Sequence, residues 1–135
     1  MPTESTSLIQ QPAELQTAVA AAQERKAAGI TLLDLSKLGA FTSAFLICTG
    51  FSGPQVQAIA DGIEGALDRG GSRLVHREGY ASAEWVLLDY GSFVVHVFLE
   101  RARLFYDIER LWRQAPRVDV PDDPLDAMRD GAASA

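Results

Sequence analysis

The chain has 135 residues, of which 47% are hydrophobic, and this composition supports one domain with a substantial buried core. It carries 18 acidic and 12 basic residues, and the net charge of -6 argues against non-specific binding to nucleic acid or to anionic lipid. No run approaches the roughly 18 apolar residues of a membrane span, and the single cysteine, Cys48, excludes an internal disulfide, so we expect a soluble cytoplasmic protein.

The first half of the chain predicts one helix followed by two strands. Residues 1–11 are expected to be flexible. The helix spans residues 12–28, because Pro12 suits a first turn and Gly29 suits a C-terminal stop. Residues 30–35 and 44–49 form short, nearly continuous apolar runs, which are typical of strands that are covered on both faces.

The second predicted helix has a well-marked start. Ser52 can cap it, Pro54 is tolerated in its first turn, and Gln55 completes an S-x-x-Q capping box. Gly70 and Gly71 end it. Its apolar stripe consists of Val56, Ile59, Ala60, Ile63, Ala66 and Leu67.

The second half predicts a short strand at residues 73–77 and a hairpin of residues 84–89 and 92–99, joined at Tyr90-Gly91. A last helix over residues 101–113 is predicted to pair Arg103 with Asp107 and Glu109 with Arg113 on its outer side. The apolar face of that helix contains Leu104, Phe105, Ile108, Leu111 and Trp112.

Residues 116–135 are rich in Pro, Asp and Ala, so we expect an acidic, mobile tail. The remaining pattern predicts a single α/β domain over residues 12–115. Its architecture is a layered fold with a mixed sheet of about five strands flanked by helices.

The turn from Gly50 to Gly53 lies between a strand and a helix, where backbone amides could hold a phosphate. However, the turn matches neither glycine-rich phosphate motif, and Pro54 removes one donor amide. An ordinary capped turn is the alternative interpretation.

His76 and His96 lie 20 residues apart without any metal-ligand spacing, so we expect neither a metal nor a cofactor. His96 could act as a general base only with a nucleophile and an orienting carboxylate. The sequence shows no such group, which favours a histidine that is hydrogen-bonded within its strand or lines a partner surface.

Carboxylates near Tyr90 raise an enzyme hypothesis. Asp89 could join Glu78, Glu84 and Asp107 in binding a metal and a nucleotide. The alternative is that Asp89 accepts hydrogen bonds from backbone amides in the turn before Gly91, which requires no further function.

Trp85 and Tyr90 each combine a large ring with a polar atom, as interface anchors do. With Leu87 they could form an apolar patch rimmed by Asp89 and Glu84, suited to a basic protein surface. A core position for Trp85 and a solvent-facing turn for Tyr90 remain open as the alternative.

Several of these segments occur together in one known family. The chain resembles the ribosomal silencing factor (Iojap) family over residues 12–115. The matching segments are LLDLS at 32–36, FLICTG at 45–50, S-x-x-Q-V-x-A-I-A-D at 52–61, EG at 78–79, WVLLDYG at 85–91, VVHVF at 94–98 and R-x-F-Y-D-I-E-R-L-W at 103–112.

The resemblance implies a non-enzymatic α/β protein whose fold is related to nucleotidyltransferases. Such a protein binds ribosomal protein fourteen of the large ribosomal subunit, blocks joining of the small subunit and represses translation when nutrients are short. Some members form homodimers. The implied contact residues are Trp85, Leu87, Asp89, Tyr90, His96, Arg103 and Tyr106.

The chain departs from the family pattern at two places. Ser43-Ala44 stands where the family has an acid and an aromatic residue, and Gly53-Pro54 replaces a polar pair after the capping serine. Two other functions remain as alternatives. One is a nucleotidyltransferase-fold enzyme or nucleotide-binding protein, and the other is a structural adaptor that acts as a dimer.

Overall fold

The computed structural model describes residues 8–122, and within them a 3₁₀ turn, four helices and six strands. The 3₁₀ turn is Leu8–Gln10. The helices are α1 (Ala13–Glu24), α2 (Gly53–Arg69), α3 (Glu100–Tyr106) and α4 (Ile108–Leu111), and the strands are β1 (Ala28–Asp34), β2 (Ala44–Gly50), β3 (His76–Glu78), β4 (Trp85–Asp89), β5 (Phe93–Leu99) and β6 (Arg117–Asp119). No helix within residues 8–122 is long and apolar enough to cross a membrane.

The strands form one mixed sheet in the order β3-β4-β5-β2-β1-β6. Only β2 and β5 are parallel neighbours, and the other neighbouring pairs in the described chain are antiparallel. This confirms the predicted α/β class and mixed sheet, with six strands where about five were expected. The relation to nucleotidyltransferases stays a prediction.

Helix α2 begins as its sequence predicts. Ser52 Oγ accepts a hydrogen bond from the Gln55 backbone N–H at 3.2 Å. The Gln55 side chain accepts from the Phe51 N–H at 2.7 Å, one residue before the expected partner. The predicted stripe is buried, except that Ala66 is only half-buried.

Helix α1 is shorter than predicted and ends at Glu24 instead of residue 28. Lys26 has a left-handed backbone (φ 65°), and the Ala27 N–H donates to the Ala22 carbonyl at 3.0 Å, which closes the helix. Gly29, the expected stop, lies inside β1 beside an irregularity in the pairing with β2.

The hairpin of β4 and β5 is confirmed, with Tyr90 and Gly91 in its turn. The prediction of a single last helix is wrong. Asp107 adopts a left-handed conformation (φ 46°, ψ 49°) that separates α3 from α4. Aspartate tolerates this conformation better than most residues do. As a consequence Leu104, Phe105 and Leu111, predicted to be core residues, are exposed, whereas Ile108 and Trp112 pack against the sheet.

The predicted salt bridges of that helix are also absent. Arg103 pairs with Glu109 at 3.0 Å instead of Asp107, and Glu109 pairs with Arg117 at 3.2 Å instead of Arg113. The break at Asp107 allows this, because it turns Glu109 back toward Arg103.

Both predicted flexible ends need correction where the structure describes them. Residues 117–119 form β6 along β1, and Val120 is buried, so the domain continues past residue 115. Apolar Val118 and Val120 alternate with polar residues, and this suits an edge strand. At the other end, Leu8 packs against the core. The remaining parts of both segments, residues 1–7 and 123–135, lie outside the described residues.

The sheet separates two groups of core residues. On its first face, α1 and α2 cover aliphatic side chains that include Leu46, Val95 and Val97. On its second face, Phe45, Ile47 and Phe98 pack against Ala102 of α3. Side chains alternate between these two faces along β5, as its sequence predicts.

Candidate functional site

An aromatic surface on the second face is formed by Trp85, Phe105 and Tyr106. The Trp85 ring lies 4.9 Å from the Phe98 ring and 4.9 Å from the Tyr106 ring, measured between centroids. The Phe105 ring meets Tyr106 edge-on at 5.0 Å. Tyr106 is 49% exposed and Phe105 is 81% exposed, while Trp85 is half-buried. The rings therefore run in contact from the core to the solvent.

His96 lies beneath this surface and supports Trp85. Its Nδ1 accepts a hydrogen bond from Trp85 Nε1–H at 3.1 Å, so the neutral ring must carry its proton on Nε2. His96 is only 4% exposed, and burial lowers its pKa to about 4. Its Nε2 has no hydrogen-bond partner among the described residues.

These facts correct the interpretation of His96 as a residue that lines a partner surface. It is hydrogen-bonded within the sheet, which is the alternative that the sequence left open, and it packs 4.4 Å from the Phe45 ring. Its side chain is buried and hydrogen-bonded to Trp85, so it supports Trp85 from beneath the surface.

Leu87 and Asp89 lie on the same side of β4 as Trp85, because alternate residues of a strand share a face. Leu87 is half-buried against the second core. Asp89 Oδ1 accepts a hydrogen bond from the Gly91 N–H at 2.8 Å. Asp89 is therefore the turn acid of the simpler interpretation.

Tyr90 does not join this surface. It packs against the first core and stacks on Phe93 with ring centroids 5.1 Å apart. A small cleft that includes Glu64 and Asp68 of α2 surrounds it. Burial first, and then these two carboxylates, raise the pKa of Tyr90 to about 12. The predicted patch of Trp85, Leu87 and Tyr90 is thus divided between the two faces.

Arg103 is a structural clamp and not a free contact residue. Its guanidinium donates to the Gly29 carbonyl at 2.7 Å, to Thr49 Oγ1 at 2.9 Å and to Thr31 Oγ1 at 3.3 Å. It also forms two hydrogen bonds with Glu109, at 3.0 and 3.1 Å. All five N–H donors of an arginine are used in this way.

The hydrogen bonds from Arg103 lower the pKa of the Glu109 carboxyl, and the nearby charges of Arg103 and Arg117 add to this effect. The clamp joins α3 and α4 to β1, β2 and β6. It therefore holds Phe105 and Tyr106 in place from behind.

Sequence reasoning missed Phe105 as part of this surface, because an unbroken helix would have turned it inward. The signal that could have revealed it is Asp107, since aspartate is a weak residue inside helices.

Comparison with known proteins identifies the family. The model of the family described as "Ribosomal silencing factor during starvation" matches residues 9–135. This chain belongs to that family. A ribosomal silencing factor of Bacillus subtilis (strain 168) is 40% identical over 112 residues, which cover 83% of this chain and 95% of that protein.

A second member of the ribosomal silencing factor family, from Halalkalibacterium halodurans, is 41% identical over 106 residues, or 78% of this chain and 91% of that protein. A crystal structure of a Chromobacterium violaceum protein has a TM-score of 0.72 and 40% identity, over 73% of this chain and 82% of that chain. The likeness therefore extends over about three quarters of this chain, in sequence and in fold.

The turn from Gly50 to Gly53, considered above as a phosphate site, is a capped helix start. The Phe51 and Gln55 amides already donate to side chains within the turn, and Pro54 has no N–H. Within residues 8–122, no group of three or more His, Cys, Asp or Glu side chains is arranged to hold a metal ion. The carboxylates of the enzyme hypothesis therefore form no such group within that part of the chain.

Proposed function

We propose that this protein represses translation by binding the large ribosomal subunit through ribosomal protein fourteen and blocking association with the small subunit. Membership of the ribosomal silencing factor family supports a regulatory role on the ribosome. The partner, the subunit and the blocking step are the parts of this proposal that need a test.

The observation that carries the proposal is the aromatic surface. Exposing a ring as fully as Phe105 to water is unfavourable, and the ring adjoins Tyr106, which in turn contacts Trp85; both are partly solvent-accessible. Tryptophan and tyrosine are the residue types most often found as energetic centres of protein interfaces. Such a surface suits a protein partner better than a small ligand or a nucleic-acid backbone.

Charge favours a basic partner. Glu84 and Asp89 stand at the two ends of the strand that bears Trp85, and the whole chain has a net charge of -6. Acidic groups around an apolar contact accelerate association with a basic protein surface and repel the phosphates of ribosomal RNA. We therefore assign ribosome binding to a protein contact and not to direct binding of RNA.

The proposed mechanism is steric. A folded body of 14.6 kDa bound to the face where the subunits meet would occupy space that the small subunit needs. This action needs no nucleophile, base, metal or cofactor. We place it in the cytoplasm, and we expect it to matter when nutrients are short. Formation of a homodimer stays a prediction.

The test uses purified protein and separated ribosomal subunits. We expect the protein to co-sediment with large subunits and not with small ones, and to lower the yield of joined ribosomes as its concentration rises. Both effects should saturate at the same concentration. Binding without any loss of joining would contradict the steric mechanism, and binding to neither subunit would contradict the proposed function.

A further inference from the structure

A shallow apolar groove lies beside α3, away from the sheet centre. Its volume is about 270 Å³, and its lining includes Ala28, Gly29, Phe51 and Leu104. Phe51 is 58% exposed and Leu104 is 77% exposed. The groove therefore has large apolar side chains on its walls that no described residue covers.

The described chain ends at Asp122, which is hydrogen-bonded to a residue that lines this groove. After β6, the Val120 N–H donates to the Ile30 carbonyl at 2.8 Å, and the Gln23 side chain donates to the Pro121 carbonyl at 2.8 Å. Asp122 then accepts a hydrogen bond from the Gly29 N–H at 3.0 Å. Since Gly29 itself lines the groove, the described chain ends next to it.

Residues 123–135 contain two large apolar side chains, Leu125 and Met128. An extended chain spans at most about 3.5 Å per residue, so Leu125 can reach about 10 Å from Asp122 and Met128 about 20 Å. Both can therefore reach the groove without any movement of the fold. The segment also belongs to the region that the family model matches.

We propose that residues 123–135 bind back onto this groove, with Leu125 and Met128 covering Phe51 and Leu104. Burial of these four apolar groups against one another drives the contact. A segment tethered next to the groove has a high effective concentration there, so it competes well with a second molecule.

The charges of the segment are compatible with this arrangement. It carries Asp123, Asp126 and Asp130 against one arginine, Arg129. Lys26 is exposed in the turn before β1, and its carbonyl accepts a hydrogen bond from Gln55 at the start of α2. Glu100 also lines the groove, so we expect the aspartates to face away from Glu100.

Paramagnetic relaxation enhancement tests the proposal in the full chain. A nitroxide label is attached to the Gly131→Cys variant, which keeps Leu125 and Met128 intact. Cys48 is fully buried, and burial raises the pKa of its thiol to about 12, so the label reacts at residue 131. We expect selective loss of the amide signals of Gly29, Phe51 and Leu104, and recovery after the nitroxide is reduced.

Two variants of the labelled protein separate docking from mere proximity. Leu125→Ser combined with Met128→Ser should restore the groove signals, whereas Ala127→Ser in the same segment should leave them broadened. Equal broadening in both variants would overturn the proposal. So would the absence of selective broadening, or broadening that appears only when labelled and isotope-enriched copies are mixed, because the groove would then bind a second copy.

Discussion

The two faces of the sheet differ in how they are covered. On the first face, α1 and the 17-residue α2 cover aliphatic side chains such as Ile63 and Leu46, which are fully buried. On the second face, the short helices α3 and α4 leave Trp85 partly exposed and Phe105 largely exposed to solvent. We infer that the first face supplies most of the stability and that the second is available for recognition.

The difference originates in two short stretches of sequence. Ser52 and Gln55 start a helix that continues for almost five turns and can cover one side of the sheet. Asp107, in contrast, interrupts the last helix after seven residues. The interruption directs Phe105 and Tyr106 outward, where a continuous helix would have buried a regular stripe.

The largest expected effect is on stability and depends on the face. Ile63→Ala on the first face should lower the free energy of unfolding by about 2–5 kcal/mol, because it leaves a cavity in a closed core. Phe105→Ala on the second face should change it by less than about 0.5 kcal/mol. Urea unfolding followed by circular dichroism measures both. Equal losses would show that the second face is closed as well.

A pH dependence should come from His96, under the aromatic surface. An unfolded histidine gains its proton near pH 6.5, whereas the pKa of the buried ring is about 4. Between these values the unfolded state binds more protons, so stability falls as the pH falls. The loss amounts to about 3 kcal/mol by pH 4, at about 1.4 kcal/mol per pH unit.

The control for this prediction is His96→Gln, which keeps an acceptor but does not titrate. Its free energy of unfolding should fall less between pH 7 and pH 4 than that of the unchanged protein. Because the pKa of Glu109 is lowered, the protein also loses stability when the pH falls below the ordinary range of a glutamate pKa. This loss is expected in both proteins. If the free energies of unfolding of the two proteins fall in parallel, His96 is not the source of the pH dependence.

A smaller effect should come from the Arg103 clamp that supports α3. Gly29 and Gly39 both have positive φ, 56° and 70°, so alanine costs about 1–2 kcal/mol at either position. At Gly29 the new Cβ would also lie 2.8 Å from Arg103 Nη1, whereas at Gly39 it would meet nothing within 4 Å.

Gly29→Ala should therefore destabilise the protein by about 1 kcal/mol more than Gly39→Ala, because it displaces a hydrogen-bonded guanidinium. Thermal unfolding of the two variants measures the difference. Identical melting temperatures would mean that the clamp adjusts without loss.

The first face could be predicted from sequence. The apolar runs of β1 and β2, the capping box at Ser52 and the hairpin turn at Tyr90-Gly91 are local signals, and each one agrees with the final packing. Local preference and tertiary structure coincide there, which is typical of a well-specified core.

The second face and its borders were harder to predict, because tertiary contacts decide them. The apolar period from Leu104 to Trp112 predicted one helix, but the pairing of Arg103 with Glu109 accompanies a break at Asp107. Strand β6 has only three residues, and its pairing with β1 is too distant in sequence to be read locally. The alternation of side chains along a strand already places Trp85 and Tyr90, five residues apart, on opposite sides, and the patch that combined them overlooked this signal.

The central claim is that the second face, and not the first, binds the large ribosomal subunit. The direct measurement is the affinity of Trp85→Ala, Phe105→Ala and Tyr90→Ala for purified large subunits by co-sedimentation, with circular dichroism to verify folding. We expect the first two to lose affinity by roughly thirtyfold, the loss typical of an interface hot spot, and Tyr90→Ala to bind normally. Normal binding by Phe105→Ala and Trp85→Ala, with loss in Tyr90→Ala, would contradict the account.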